Sequence, residues 1–277
     1  MANFDDQVRG LTNITISSSG TNPTEAQLTQ FLTDGAKELI NLFPPKLKEK
    51  CATETTLDNS TTTMDMDDVG EILFVNRLSA DSSGFRFPCR KIPSMYGGMA
   101  ESSSGHMMYE PSVTDPVYWI SSSSDASILN VRPTPESTQT AIVYHIGYPT
   151  VAYNGDGTIT NFPDEAEYLV VLYAAIKSLQ SAMGSMNASI IHSDQDGSPG
   201  APLSSSQGWE KVRDWLENEE DSEMSAATVQ ALSAELQQFV TEYQWYQSQQ
   251  ASLKQDYQQG IMALIGKGVA PQKAGGK

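Results

Sequence analysis

Val229-Gln-Ala-Leu-Ser-Ala-Glu-Leu-Gln-Gln-Phe-Val-Thr-Glu-Tyr-Gln-Trp-Tyr-Gln-Ser-Gln-Gln-Ala-Ser-Leu-Lys-Gln-Asp-Tyr-Gln-Gln-Gly-Ile-Met-Ala-Leu264 is the stretch that decides how this chain is built. Val229, Leu232, Leu236, Phe239, Tyr243, Tyr246, Leu253, Tyr257, Ile261 and Leu264 recur along it in three- and four-residue steps, with Gln250 where one further apolar residue would fall. Such steps place side chains on one face of an α-helix, and sustained over several heptads they make a narrow seam. The other faces are Gln, Glu and Ser, and no proline occurs between Pro202 and Pro271. One helix of about 35 to 40 residues, about 55 Å long at 1.5 Å per residue, is therefore predicted. A domain of this size does not cover such a rod along its whole length, so the seam needs a partner, either another chain or copies of itself. Tyr243, Trp245, Tyr246 and Tyr257 read as interface anchors before core residues, and Trp245 lies beside the seam, where it would meet a second surface. After Gly266 the basic, Gly-rich run Lys267 to Lys277 reads as a flexible tail.

Upstream of this helix, the acidic run Glu217 to Glu223 closes a short predicted helix carrying Trp209, Val212, Trp215 and Leu216, itself preceded by a Gly/Ser/Pro linker from Gly184 to Gln207. Before the linker, Pro163 opens a helix whose first turn holds Asp164, Glu165 and Glu167. There Tyr168, Leu169, Leu172, Tyr173, Ile176, Leu179 and Met183 cover more than one face, so this helix must be packed on two sides. Between Cys51 and Thr160 the texture is β: Gly70 to Val75, Val117 to Ile120, Ile128 to Val131 and Ala141 to Ile146 are β-branched or aromatic runs, and Asn154-Gly-Asp-Gly157 ends them in a tight turn. Nearer the start, Asn22, Pro23 and Glu25 read as cap, first turn and capping box of a helix. Its buried face is Leu28, Phe31, Leu32, Leu39, Ile40 and Phe43, and Pro44 and Pro45 stop it. The first 20 residues read as a loosely held arm in which Leu11, Ile14 and Ile16 alternate like an edge strand.

These readings predict an α+β fold. A helical bundle comes from residues 22–50 and 161–221, with an antiparallel β-sheet or sandwich inserted at 51–160. An N-terminal arm occupies 1–21, a long amphipathic helix 222–266 and a basic tail 267–277.

Size is permissive, since 277 residues bury a sizeable core without staples. Charge is more informative. Thirty-four acidic against 17 basic residues give a formal charge of −17, which opposes general affinity for nucleic-acid phosphates. Serine runs at 17–19, 102–104, 121–124 and 204–206 read as exposed loops. Met1 to Gly10 lack an apolar segment and no later window is read as a membrane span, so neither a cleaved signal nor insertion is expected. Without secretion, the sequons at Asn13, Asn59 and Asn187 are chance matches. Cys51 and Cys89 could pair, but two cysteines are equally expected in a reduced compartment, which is the preferred reading.

No assembled catalytic or metal site is visible. His106, His145 and His192 sit in three contexts with no i, i+4 pair and no nearby cysteine, and His145 reads as an ordinary sheet residue. Asp65-Met-Asp-Asp68 and Asn154 to Thr158 resemble fragments of calcium loops but lack the closing bidentate Glu, so turns and solvated charge are the better reading. Neither a nucleophile elbow nor a phosphate-cradling Gly-rich loop occurs. No metal, cofactor or enzyme activity is predicted.

Taken in order, Leu28-Thr-Gln-Phe-Leu-Thr-Asp-Gly-Ala-Lys-Glu-Leu-Ile40, Tyr118-Trp-Ile120, Ile128-Leu-Asn-Val-Arg-Pro133 and Phe162-Pro-Asp-Glu-Ala-Glu-Tyr-Leu-Val-Val-Leu-Tyr-Ala-Ala-Ile176 resemble bacteriophage head-to-tail adaptor (connector) proteins of the portal-neck complex. The Gln-rich helix with Tyr243-Gln-Trp-Tyr246 and Lys254-Gln-Asp-Tyr257 looks like that of environmental phage structural proteins. The resemblance implies a virion protein, assembled in the host cytoplasm, in a ring of about twelve copies beneath the portal. Its implied partners are the portal, a neck or tail tube (nozzle) protein and copies of itself, with genomic DNA as passing cargo and no membrane. It implies a portal or partner interface at Phe239, Tyr243, Trp245, Tyr246, Leu253, Tyr257, Ile261, Leu264, Lys267 and Lys273. Inward-facing carboxylates would let DNA slide through such a ring without gripping it. Two readings of other classes stay open: a tail-fibre or adhesion-type β protein, and a hydrolase whose carboxylate pair is assembled only by folding.

Overall fold

The computed structural model describes residues 2–18, 23–67, 69–79, 84–101, 111–123, 126–192 and 222–268. Among them the α-helices are α1 (Phe4–Thr12), α2 (Glu25–Leu42), α3 (Pro45–Lys48), α4 (Gly97–Glu101), α5 (Asp164–His192) and α6 (Ser222–Gly268). The strands are β1 (Ala52–Leu57), β2 (Thr63–Asp65), β3 (Val69–Leu78), β4 (Arg86–Pro88), β5 (Arg90–Lys91), β6 (Val117–Ser123), β7 (Ala126–Arg132) and β8 (Ala141–Gly147). The fold is α+β. It resolves into two compact units, one of Met1–Gly35, Val151–Thr158 and Glu167–Ala263, the other of Ala36–Thr150, Ile159–Ala166 and Leu264–Lys277.

In the first unit, the residues read as a loose arm form helix α1. Asn3 caps it by accepting from the Asp6 N–H (2.8 Å), Asp5 and Asp6 face its positive end, and Asn13 closes it in the left-handed conformation (φ 55°). Phe4 and Val8 bury one face of α1, so the alternation at Leu11, Ile14 and Ile16 belongs to a helix end and an extended link, not to an edge strand. The segment 151–158 runs beside this helix and α2: the Asp5 N–H donates to the Tyr153 carbonyl, while Thr29 and Thr33 hydroxyls accept from the N–H groups of Tyr153 and Val151.

Helix α2 begins two residues later than its sequence signals suggest, because Thr24 and Gln27 make the capping box: the Gln27 N–H donates to Thr24 Oγ1 and the Thr24 N–H to Gln27 Oε1. Farther along, Gly35 lies against the Tyr173 ring of α5 so closely that a Cβ there would stand 2.9 Å from Cδ1. Ala166, Leu169, Val170, Val171, Leu172, Ala174, Ala175, Ile176 and Leu179 are buried on α5, the packing on more than one side that its sequence predicts, although Tyr168 is exposed. The helix continues to His192, so the predicted linker cannot start at Gly184. Its Asp164–Met186 portion contains an 18-residue window of mean hydropathy 1.2, long and apolar enough to cross a membrane by length and composition alone, although 56% of that window is buried within the chain.

The second unit holds two four-stranded sheets, ordered β1-β8-β3-β4 and β2-β7-β6-β5. Every pairing is antiparallel except β5 with β6, which is parallel, so the predicted purely antiparallel sheet is corrected at that edge. Period-two alternation sends Ala141 and Val143 of β8, Val75 of β3 and Leu57 of β1 to one face. They join Met64, Tyr118, Leu129 and Val131 of the other sheet in one buried cluster. Arg77 is buried among these strands, its Nε and Nη2 donating to the carbonyls of Pro133 and Thr134, which fastens that turn to β3. A smaller cluster sets Trp119 with Ile92, Ala100 and Val117, and Gly97 leaves the room the indole occupies.

Candidate partner-docking surface

Helix α6 is one unbroken helix of 47 residues, about 70 Å at 1.5 Å per residue and longer than its heptads alone predict. Its seam does not have one fate. From Gln250 to Gly260 it is docked on the chain's own α5: Gln250 Nε2 donates to the Ile176 carbonyl (3.4 Å), the Tyr257 and Tyr173 rings meet at 6.0 Å, and Gly260 sits where any Cβ would run into Leu169. As residue numbers rise along α6 their partners on α5 fall, so the two helices run antiparallel. Leu253, Tyr257 and Leu264 are all at least nine-tenths buried.

Between Leu236 and Trp245 the seam and the positions beside it are more open, with Phe239 and Tyr246 half-buried. Leu236, Val240, Tyr243 and Trp245 are 41%, 55%, 43% and 45% exposed. With Phe239, Gln244, Gln247 and Met186 near the end of α5, the first three of them line a groove of about 460 Å³. Leu236, Val240 and Tyr243 stand at i, i+4 and i+7, the ladder that receives another helix. The Tyr246 hydroxyl donates to Glu242 Oε1 (3.4 Å), and burial first, then the Glu242 carboxylate, pushes its pKa above the ordinary tyrosine range. Trp245 packs edge-on to Tyr246 at 5.2 Å and stays partly exposed.

The ten residues predicted as a partner interface thus separate into groups. Phe239, Tyr243, Trp245 and Tyr246 lie together on the open stretch. Leu253, Tyr257 and Leu264 are buried, Tyr257 against the Tyr173 ring of α5, and Ile261 is half-buried. Lys267 lies at the end of α6 and Lys273 outside the described residues, as do His106, the Ser102 to Ser104 and Ser204 to Ser206 runs and the helix predicted around Trp209 to Leu216. The sequence reading missed Val240 and Met186. Val240 had a signal, since it sits one position beside the seam; Met186 belongs to another helix and had none.

The remaining polar candidates are structural. Among the described residues no group of three or more His, Cys, Asp or Glu could hold a metal ion. His145 is buried with Nε2 2.9 Å from Thr55 Oγ1. Asp65 accepts from the Asp67 N–H in a turn, and Gly157 (φ 77°) completes the turn after Asn154. Cys51 and Cys89 are unpaired, and burial pushes their thiols up to about 11 and about 12, the condition of inert thiols. Asp58 is held below the ordinary carboxylate range by the Ser60 hydroxyl, then by the Thr61 and Ser60 N–H groups, the opposite of what a general acid requires.

A family model described as SU10 adaptor protein matches residues 5–195 of the 277. No curated protein matches the chain. The matched span contains α1 through α5 and both sheets but stops before α6, so the helix that carries the open groove lies outside what the family prescribes.

Proposed function

We infer, from the premise that this chain belongs to the SU10 adaptor protein family, that it is a structural protein of a bacteriophage head-to-tail neck. It forms a ring of about twelve copies beneath the portal, joins capsid to tail and leaves a channel for DNA. Residues 5–195 supply the adaptor body, a helical bundle with an inserted sandwich of sheets, and α6 supplies the arm that reaches a partner. The observation that carries this reading is that a family member extends a helix whose apolar seam is half satisfied at home and half open. A soluble chain keeps such a stripe only where something covers it.

Portal and tail-side neck proteins are the partners this arm would meet, and neighbouring copies would meet the body. With a formal charge of −17 per copy, a ring presenting carboxylates to its lumen would repel phosphates and let the genome slide. The test is a native mass of the full chain alone and mixed with the portal protein of the same phage. A ring-sized species joined to the portal supports the reading, and a monomer that never joins it overturns it.

A further inference from the structure

We propose that neighbouring copies of this chain join head to tail through the two edges of one sheet, β4 of one copy pairing antiparallel with β1 of the next, so that Arg86 lies opposite Glu54. This deepens the ring reading and rests on it, because it names the surface through which copies meet.

Register decides which backbone groups the two edges turn outward. β1 and β4 are the terminal strands of the order β1-β8-β3-β4. The Cys89 N–H donates to the Val75 carbonyl (2.7 Å) and the Ser79 N–H to the Phe85 carbonyl (2.8 Å). Backbone groups alternate sides along an antiparallel strand, so Arg86 turns its own N–H and carbonyl away from β3. In the same way the Leu78 N–H donates to the Thr140 carbonyl (2.8 Å), which commits Ile142 and Tyr144 to β3 and leaves Ala141, Val143 and His145 to β1. Their β1 partners are Leu57, Thr55 and Thr53, so Glu54 and Thr56 point outward. Every pairing in this sheet is antiparallel, so β1 and β4 run in opposite directions and suit each other as antiparallel partners. With Arg86 opposite Glu54, Pro88, which lacks an N–H, falls opposite Ala52, whose N–H is already taken by the Glu49 carbonyl.

Charge selects unlike edges. Glu54, Tyr144 and Phe74 lie in one row across the sheet, and Leu78, on the same side of β3 as Phe74, lies opposite Arg86. Glu54 and Arg86 therefore stand on one face at opposite edges. Among the described residues Arg86 makes no ion pair, and its Nη1 is buried without a hydrogen-bond partner. Glu54 is exposed and accepts from the Tyr144 hydroxyl, which uses one of roughly four acceptor positions on a carboxylate. The surrounding sequence has the same polarity: residues 52–76 contain Asp and Glu but no Lys or Arg, whereas residues 85–91 contain Arg86, Arg90 and Lys91 and no acid. Arg90 already pairs with Asp115 (3.0 Å), which leaves Arg86 as the cation on the β4 edge. Pairing like edges would bring carboxylate toward carboxylate or guanidinium toward guanidinium, while unlike edges bring opposite charges together. A contact between two different edges of one chain is also the kind that closes into a ring.

The experiment uses the full chain with the portal protein of the same phage. Glu54→Cys with Arg86→Cys in one chain places two thiols on a directly opposed cross-strand pair, about 5.5 Å apart at Cα and within disulfide reach. Under mild oxidation this double variant should give a ladder of covalent multimers on a non-reducing denaturing gel. Each single-cysteine variant should stay at the baseline of the native chain, which carries Cys51 and Cys89. Charge reversal supplies the second readout: Glu54→Arg or Arg86→Glu alone should lower ring formation on the order of tenfold. An equimolar mixture of those two variants should restore it, because each then meets the other's opposite charge. Urea midpoints close to the native one separate a lost contact from a lost fold. A double-cysteine chain that forms rings on the portal without cross-linking overturns the proposal and leaves the ring reading standing. Covalent dimers from either single-cysteine variant also overturn it, in favour of like-edge pairing. A native chain that forms no ring at all ends both readings.

Discussion

Two stretches of one helix, Leu236 to Trp245 and Gln250 to Leu264, carry the same kind of sequence and end in opposite environments. Both present Leu, Tyr and Phe or Ile at three- and four-residue steps, with Gln and Ser on the remaining faces. What separates them is the neighbour. Tyr173, Ile176 and Leu169 of α5 lie against the later stretch, whereas Met186, near the end of α5, is the α5 residue lining the groove on the earlier one. A seam therefore states that burial is needed without stating who supplies it. The identity of the supplier shows in the exceptions to the pattern: Gly260, the first glycine of α6, allows close approach to Leu169, and Gln250 replaces an apolar rung with a group that reaches a backbone carbonyl of α5.

The contrast breaks most visibly under truncation of the docked seam. Leu253 is 4% exposed, so Leu253→Ala removes a filled site and should cost about 2 to 5 kcal/mol. Leu236→Ala, on the open stretch, should change stability by less than about 0.5 kcal/mol. Urea unfolding followed by far-UV circular dichroism measures both, and equal losses would show that the two stretches are not differently packed. Gly260→Val should come next in size. Its side chain would collide with Leu169, itself buried, and overpacking of that kind costs about 1 to 3 kcal/mol, against a few tenths regained from helix propensity. A variant as stable as the native chain would mean that Leu169 turns aside freely and that the close approach does not hold the helices in place.

Much of this was legible in the sequence because periodicity reports local geometry directly. α2, α5, α6 and the four apolar strands β3, β6, β7 and β8 all follow from spacing and punctuation. The missed strands share one cause, which is polarity at positions where hydrogen bonding fixes the element more than apolar burial does. β1 is Ala-Thr-Glu-Thr-Thr-Leu and β5 is Arg-Lys, neither of which announces a strand. Helix α1 was hidden behind a misread alternation although Asn3 and its two aspartates are cap chemistry, and the cap of α2 was placed two residues early because Asn22-Pro23 is as good a signal as Thr24 and Gln27. For the candidate surface, the sequence named the stripe but could not divide it, since the division depends on which part of α6 lies alongside α5.

Gln250 sharpens the comparison at a finer scale. Buried on the seam, it donates to Ile176 and accepts from Lys254, so its polarity is satisfied and its net contribution is modest. Gln250→Leu keeps nearly the same volume and should shift stability by less than about 1.5 kcal/mol, because the Ile176 carbonyl gives up only an added donor. What should change is specificity: a continuous apolar seam across position 250 no longer marks where intramolecular docking begins. Size-exclusion chromatography with light scattering reads this, with the expected result that Gln250→Leu self-associates more than the native chain at equal concentration. An unaltered mass would show that Gln250 is tolerated on the seam without guarding it.

The smallest expected effect lies on the open stretch and carries the most weight against the comparison if it fails. Val240 is 55% exposed, and Val and Ser differ little in helix propensity, so Val240→Ser in the isolated chain should leave the urea midpoint within the range of ordinary surface substitutions, about ±0.5 kcal/mol. A loss above about 1 kcal/mol would mean that Val240 is covered in the free protein. The groove would then be packed by the chain's own residues and would offer a partner nothing. A neutral midpoint together with weakened assembly in the presence of the portal would place the energetic role of Val240 in association alone, which is what separates an interface residue from a core residue of the same chemistry.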